Sequence, residues 1–201
     1  MTSASPLANS ELILGGQRSG KSRRAEMLAR QWLDANPAHR AVLVATAQPW
    51  DDEMRQRIAR HQADRAERVP GMQTLEVPRA LGEALASLSQ PDTLVVVDCL
   101  TLWLTNLLMP APAQDGQHTF APKDGSDPSA APIEDLLQAL HAACGPVVLV
   151  GNEIGMGVIP MGAEVRAFVD TLGRLNQDVA RACTRVTLMA AGLPLSLKGT
   201  P

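Results

Sequence analysis

The sequence predicts an α/β fold, in which a mostly parallel β-sheet carries helices on both faces. Short, β-branched apolar runs alternate along the chain with longer segments of helical period. The runs are continuously apolar, as in strands covered on both faces, and strand–helix alternation is typical of parallel α/β sheets. A glycine-rich loop follows the first run, where such folds bind phosphate groups.

The elements are predicted in chain order from these patterns. The expected strands are Leu12–Leu14, Ala41–Thr46, Leu94–Asp98, Pro146–Val150 and Arg185–Met189, with Leu195–Leu197 as a short edge strand that closes the sheet. Helical spacing places apolar residues on one face of three segments. These segments follow Gly20 (Ala25, Leu28, Ala29, Trp32), cover residues 51–62 (Met54, Ile58, His61), and precede the fifth strand (Val165, Phe168, Val169, Leu172, Leu175, Val179).

Length and composition indicate one soluble domain. The chain has 201 residues, of which 45% are apolar and 19% charged, with a net charge of −3. We expect a loose tail over residues 1–10, a single domain over 11–201, and a flexible insertion at 110–132, which is rich in Pro, Ala, Gly and Asp.

The same composition excludes several classes of function. Three scattered cysteines do not make a zinc site or a disulfide framework, and they fit a cytoplasmic location. No apolar run is long enough to span a membrane. The acidic balance, with three Trp, two Phe and no Tyr, argues against nucleic acid as a partner.

Residues Gly15–Ser22 match the phosphate-binding motif G-x-x-x-x-G-K-[ST] in full. Its glycines allow a tight turn in which backbone N–H groups converge on phosphate oxygens. Lys21 is expected to reach the β- and γ-phosphates, and the Ser22 hydroxyl to bind Mg²⁺. The alternative is a glycine-rich turn that only connects strand to helix.

Asp98 is the candidate for a second Mg²⁺ ligand, because it ends an apolar strand where parallel sheets open on their ligand. It could instead be the N-cap of the next helix. His61 extends the apolar face of its helix, and a packed or partly exposed structural histidine is one interpretation. The other is chemical: the guanidinium groups of Arg57, Arg60 and Arg65 would lower its pKa, and a neutral imidazole is a good nucleophile.

Further motifs accompany the loop along the chain. They are Ala45-Thr46-Ala47 with Asp51–Met54, Arg57-Ile58 with His61, Asp98–Thr101 with Thr105–Leu108, Asn152–Pro160, and Gly173–Gln177. With Gly15–Arg23, they resemble the bifunctional adenosylcobinamide kinase/adenosylcobinamide-phosphate guanylyltransferase family of cobalamin biosynthesis, from about residue 11 to 198. The loop is common to many families, whereas Asn-Glu-Ile-Gly-Met-Gly and Gly-Arg-Leu-Asn-Gln are specific to this one. We therefore predict a P-loop NTPase fold of the RecA-like type.

The resemblance implies two reactions on a corrinoid substrate. ATP or GTP phosphorylates the aminopropanol hydroxyl of adenosylcobinamide. GTP then guanylylates His61 with loss of pyrophosphate, and GMP passes to adenosylcobinamide phosphate, giving adenosyl-GDP-cobinamide. The resemblance also implies a homo-oligomer, specifically a trimer.

The resemblance also implies which residues contact the nucleotide. They are Leu14, Gly15, Gly16, Gln17, Arg18, Ser19, Gly20, Lys21, Ala45, Thr46, Ala47, Gln62, Ala63, Asp64, Arg65, Glu76 and Asp98. Ser22 is added to this set from the phosphate motif.

The chain departs from the family pattern in two places. Arg60 precedes His61 where some members have a second histidine, and Ala66 follows Arg65 where proline is common. Two other functions remain open from the sequence. One is a P-loop small-molecule kinase without nucleotidyl transfer, in which His61 is structural; the other is a nucleotide-dependent switch, although no Asn-Lys-x-Asp guanine motif is present.

Overall fold

The computed structural model describes residues 7–49, 52–109 and 127–199, and for Arg57 the backbone alone. Within these ranges, strands and helices alternate as the sequence predicts. In chain order they are β1 (Ser10–Gly15), α1 (Lys21–Ala35), β2 (Arg40–Ala45), α2 (Asp52–Arg68), β3 (Gln73–Glu76), α3 (Leu81–Leu88), β4 (Thr93–Asp98), α4 (Leu100–Leu108), α5 (Ala130–His141), β5 (Val147–Val150), α6 (Ala163–Ala182), β6 (Arg185–Ala190) and β7 (Leu193–Lys198).

The strands form one seven-stranded sheet in the order β3-β2-β4-β5-β1-β6-β7. All neighbouring pairs are parallel except β6 and β7, which are antiparallel. In register, Leu12 of β1 lies opposite Leu149 of β5 and Val186 of β6. The predicted fold class is therefore confirmed, and the carboxyl ends of the six parallel strands lie along a single edge of the sheet.

Both faces of the sheet are covered, which explains why the strand sequences are continuously apolar. Because side chains alternate along a strand, Leu12 and Leu14 point to one face and Ile13 to the other. The first face packs against α3, α4, α5 and α6, around the fully buried Trp103. The second packs mainly against α1. None of the helices in the described ranges combines the length and apolarity needed to cross a bilayer.

A buried ion pair lies at the start of β1. Glu11 of β1 is only 1% exposed. Its Oε1 accepts hydrogen bonds from Arg24 Nε of α1 at 3.0 Å and from Thr187 Oγ1 of β6 at 2.8 Å, and Arg185 lies 3.6 Å from Oε2. A buried carboxylate is tolerated only when it is paired in this way. β1 can therefore begin at Ser10, before the apolar run that predicted it.

The sequence pattern does not predict β3. Its four residues are all exposed, and they form the edge of the sheet beside β2. An edge strand with no buried face carries neither a continuous apolar run nor an alternating one. Its position is set by pairing with β2, in which Val42 lies opposite Gln73 and Ala45 opposite Glu76.

Two predicted boundaries need correction. The expected tail over 1–10 extends too far, because Ser10 is buried in β1 and the carbonyl of Asn9 accepts a hydrogen bond from Val147 N at 3.0 Å. The expected flexible insertion at 110–132 also extends too far, because α5 begins at Ala130. The parts of these predictions on residues 1–6 and 110–126 lie outside the described residues.

The predicted closing strand is present as β7, which a two-residue turn joins to β6. Ala191 and Gly192 form the turn with φ of 51° and 81°, as in the type I′ turns that fit the twist of a hairpin. The N–H of Gly192 donates to the carbonyl of Ser19 at 3.0 Å. The hairpin thus touches the loop that follows β1.

Two helical glycines provide a test of the packing between α3 and α5. A Cβ on Gly82 of α3 would lie 2.7 Å from the backbone carbon of Asp135 in α5, whereas a Cβ on Gly173 of α6 would have no atom within 4 Å. We expect Gly82→Ala to lower the free energy of unfolding by about 1–3 kcal/mol, because the helices must move apart. Gly173→Ala should raise it by about 0.5–1 kcal/mol through helix propensity.

Denaturant unfolding of both variants and the unsubstituted chain measures these changes. A Gly82→Ala protein as stable as the Gly173→Ala protein would contradict the close approach of α3 and α5.

Candidate active site

The loop after β1, which the sequence predicts to bind phosphate, makes a tight turn against β6. Gly15 has φ of 152°, and a Cβ there would lie 2.5 Å from Met189 O and 2.6 Å from Ser19 Oγ. Arg18 and Gly20 also have positive φ, of 56° and 101°. Only glycine fits at Gly15, because β6 approaches the backbone there. A turn that only connects a strand to a helix would not require β6 to lie so close to the backbone of Gly15.

Lys21 begins α1 at the mouth of this loop. Its Nζ donates a hydrogen bond to the carbonyl of Gly16 at 2.6 Å, so the side chain is folded over the loop. Lys21 is 8% exposed, and Ser22 beside it is partly buried. The N-terminus of α1 also faces the loop, and its N–H groups and dipole favour a bound anion.

Asp98 ends β4 on the same edge, and its carboxylate is partly buried. The N-cap of α4 is Cys99, whose Sγ accepts from Leu102 N at 3.5 Å, so the N-cap interpretation of Asp98 is wrong. Burial, followed by the Asp98 carboxylate, raises the pKa of the Cys99 thiol to about 11, whereas Lys21 lowers it. Cys99 is therefore neutral near pH 7, and both Asp98 and Lys21 are close enough to influence it.

Thr46 is brought to this edge but is fully buried. Its hydroxyl donates to Cys99 O at 2.8 Å and accepts from Cys99 N at 2.9 Å, while its carbonyl accepts from Asn106 Nδ2 at 2.7 Å. These bonds hold the ends of β2 and β4 together. The geometry gives Thr46 a role in shaping the site, and its predicted nucleotide contact stays a prediction.

The strand order sets how far each candidate lies from the phosphate loop. With about 4.8 Å between neighbouring strands, Asp98 on β4 is about 10 Å from β1 across the sheet, Ala45 on β2 about 14 Å, and Glu76 on β3 about 19 Å. Ala45 lies opposite both Glu76 and Asp98 in register. The structure thus brings these three residues together in a row, with Glu76 far from the loop.

The candidates at residues 61–65 lie on α2. His61, Gln62 and Ala63 are exposed, Asp64 is partly buried beside Arg68, and Arg65 is buried. The exposed side chain excludes a packed His61, while a partly exposed structural histidine and the catalytic role both stay predictions. Arg68 also bonds to Glu26 of α1 at 2.9 Å, and His61 precedes Arg68 by about two turns, or roughly 10 Å along the axis.

The sequence motifs include two residues whose structural importance was not predicted. Asn176 of α6 is buried, and its Nδ2 donates to Asn152 O at 3.1 Å and lies 3.5 Å from Glu153 Oε2. The N–H of Glu153 donates to Gly15 O at 3.1 Å. These contacts connect the Asn152–Pro160 and Gly173–Gln177 motifs to the phosphate loop, whereas Arg174 is exposed. The sequence signal that could have identified them is the presence of polar Asn152, Glu153 and Asn176 next to apolar runs.

Comparison with known proteins agrees with the resemblance seen in the motifs. A family model described as cobinamide kinase / cobinamide phosphate guanyltransferase matches residues 11–197. The bifunctional adenosylcobalamin biosynthesis protein CobP of Pseudomonas aeruginosa is 46% identical over 95% of this chain and 98% of its own. Proteins named CobU from Salmonella typhimurium and Escherichia coli are 37% and 34% identical, each over 93% of this chain and 98% of their own.

A solved structure is also similar in outline. The flagellar accessory protein FlaH from Methanocaldococcus jannaschii aligns over 96% of this chain and 80% of its own, with a TM-score of 0.48 and 10% identity. The family assignment rests on the sequence matches, which extend over nearly the whole chain. The chain belongs to the cobinamide kinase / cobinamide phosphate guanyltransferase family, as its motifs predict.

Proposed function

We propose that this chain catalyses both reactions of its family at the carboxyl edge of the sheet. ATP or GTP phosphorylates the hydroxyl of adenosylcobinamide, and GTP then supplies GMP to adenosylcobinamide phosphate by way of guanylyl-His61. The product is adenosyl-GDP-cobinamide. The observation that carries the proposal is the phosphate loop with its buried Lys21, set in a chain that matches the family over residues 11–197.

The residues around the loop suit a magnesium–triphosphate complex. Mg²⁺ prefers oxygen ligands and is usually held by one or two protein groups together with substrate phosphates. Ser22 and Asp98 supply such oxygens, and the described ranges hold no cluster of three or more His, Cys, Asp or Glu that would suit another kind of metal. When bound, Mg²⁺ neutralises charge on the phosphate oxygens. Lys21 and the N–H groups of the loop bind the same oxygens.

The second reaction uses His61 as a nucleophile. A neutral imidazole nitrogen attacks the α-phosphorus of GTP, the bond to the β-phosphate oxygen breaks, and pyrophosphate leaves with the electron pair. A phosphate oxygen of the corrinoid then displaces the histidine, which is neutral again. The exposure of His61 supports this role, because the imidazole must meet two substrates in turn.

The distances along the edge favour two groups of contacts. Lys21 and Ser22 lie beside β1, whereas Ala45 ends β2, Ala47 follows it, and Glu76 ends β3, so that these lie three and four strands away. We assign this second group, with Gln62–Arg65 of α2, to the ribose, the base or the guanylyl group on His61. The phosphates held by the loop do not extend over this distance.

The covalent histidine is tested with GTP labelled on its α-phosphate. After incubation with Mg²⁺ and denaturation, we expect an acid-labile, alkali-stable label on the protein that is absent from His61→Ala. The matched control is His141→Ala, an exposed helical histidine on α5. Phosphorylation of adenosylcobinamide should continue in both variants.

If the unsubstituted chain never acquires label yet phosphorylates the corrinoid, the alternative of a kinase without nucleotidyl transfer is correct. Absence of turnover with any corrinoid would favour the nucleotide switch.

The phosphate and metal ligands are tested by Lys21→Ala and Asp98→Asn. We expect Lys21→Ala to slow phosphorylation by about 10²- to 10³-fold, because a cation no longer stabilises the transferring group. Asp98→Asn should raise the Mg²⁺ concentration needed for half-maximal rate. Asp92→Asn, at the opposite end of β4, is the control. An unchanged Mg²⁺ requirement in Asp98→Asn would remove Asp98 from the metal site.

We further propose a homo-oligomer, a trimer by resemblance, located in the cytoplasm. Four apolar side chains between β5 and α6 support assembly: Met156, Val158, Ile159 and Met161 are 77%, 96%, 78% and 97% exposed. Monomeric proteins rarely expose apolar groups so close together unless the surface has a partner.

The proposed cytoplasmic location is supported by the cysteines. Cys99, Cys144 and Cys183 are free thiols, which fit a reducing compartment.

Light scattering after size exclusion tests the assembly. The expected mass is three times the 21.4 kDa of one chain, and Val158→Asp with Met161→Asp should reduce it. Met27→Asp is the control, because Met27 is an exposed methionine on α1, away from this segment. A monomeric mass for the unsubstituted chain would refute the proposed assembly.

A further inference from the structure

Glu153 is held directly beside the phosphate loop. β5 is the immediate neighbour of β1, and their pairing continues beyond the end of the strand, where Gly151 N donates to Ile13 O at 3.0 Å and Glu153 N to Gly15 O at 3.1 Å. Gly15 is the first glycine of the loop. The backbone of Glu153 is therefore fixed against the residue at which the loop begins.

The carboxylate of Glu153 is also oriented. Its Oε1 accepts a hydrogen bond from Gly155 N at 2.9 Å, and its Oε2 lies 3.5 Å from Asn176 Nδ2. Asn176 is 4% exposed and is itself fixed by the carbonyl of Asn152. The buried glutamates Glu11 and Glu26 are paired with arginines, whereas these contacts of Glu153 are with neutral amides. A partly exposed carboxylate in such surroundings can accept a proton from a substrate.

Other acidic groups of the site are less suitable for this role. Asp98 lies two strands from β1, and Glu76 lies four strands away. Asp98 is also the proposed ligand of Mg²⁺, and a carboxylate bound to a cation is a weak base. Glu153 follows the adjacent strand β5 and bonds to the first glycine of the loop that is proposed to hold the transferring phosphate.

We propose that Glu153 is the general base of the phosphorylation step, an inference that rests on the proposed function. The carboxylate accepts a hydrogen bond from the hydroxyl of the corrinoid and so orients its oxygen. As this oxygen forms a bond to the γ-phosphorus, the bond between that phosphorus and the bridging oxygen breaks. The nucleoside diphosphate leaves with the electron pair, and the hydroxyl proton passes to Glu153 and then to water.

Only one of the two reactions needs this base. The nucleophile in the guanylylation of His61 is a neutral imidazole nitrogen, and the acceptor of GMP is a phosphate that is already ionised. Neither step removes a proton from an alcohol. The two activities should therefore respond differently when the Glu153 carboxylate is removed.

The experiment measures both activities in Glu153→Gln, with Glu164→Gln as the matched control. Glu164 is an exposed glutamate in the first turn of α6. Transfer of phosphate from γ-labelled ATP to adenosylcobinamide should fall about 10²- to 10⁴-fold in Glu153→Gln, the range for loss of a general base. Labelling of His61 by α-labelled GTP should remain unchanged, and Glu164→Gln should keep both activities.

A second variant separates chemistry from folding. In Glu153→Ala, added formate can enter the vacated space and take the proton, so we expect it to restore part of the phosphorylation rate in that variant alone. Retained phosphorylation in Glu153→Gln would overturn the proposal. An equal loss of both activities, without formate rescue, would also overturn it and would show that Glu153 only supports the loop. If the unsubstituted chain phosphorylates no corrinoid, the proposed function itself fails.

Discussion

The hydrogen-bonded spacing of the parallel sheet sets how far apart the candidate groups at the strand ends lie. Neighbouring strands are held about 4.8 Å apart, and β5 lies between the loop strand β1 and the strand that ends at Asp98. Consequently Glu153 contacts the loop directly, while Asp98 faces it across one intervening strand. The residues assigned to the base and ribose lie further along the same edge. One row of strand ends thereby separates the proposed base of phosphate transfer from the groups proposed to bind GMP.

Local chemistry made part of this arrangement predictable. The loop over Gly15–Ser22 has a fixed spacing because backbone and phosphate must meet, and a buried parallel strand must be apolar on both faces. Groups that depend on strand order could not be predicted in this way. Glu153 lies beside the loop because β5, which begins more than 130 residues after β1 in the chain, pairs with β1 in the sheet. The bonds from the Thr46 hydroxyl to the backbone of Cys99, which join the ends of β2 and β4, likewise depend on strand order, and the predicted nucleotide contact of Thr46 stays a prediction.

The helix that carries His61 differs from the other helices in how it is anchored. Within α2, Arg65 is the first described residue whose side chain is buried, and the ion pair with α1 comes from the end of the helix, between Arg68 and Glu26. The helical turns of α2 that precede His61 are largely exposed to solvent. Few buried contacts mean a low free energy of local opening. The apolar spacing of Met54, Ile58 and His61 therefore overstated the packing of this face.

The hairpin between β6 and β7 affects more than the edge of the sheet. Its turn at Ala191–Gly192 donates a hydrogen bond to Ser19, and a Cβ on Gly20 would lie 3.3 Å from Gly192 Cα. The last strand of the domain is thus a structural support for the first functional loop, although β7 itself is exposed. A chain that ended before Leu193 would lose the partner strand that holds this turn closed. The proposed triphosphate site could then form only after β7 has paired with β6.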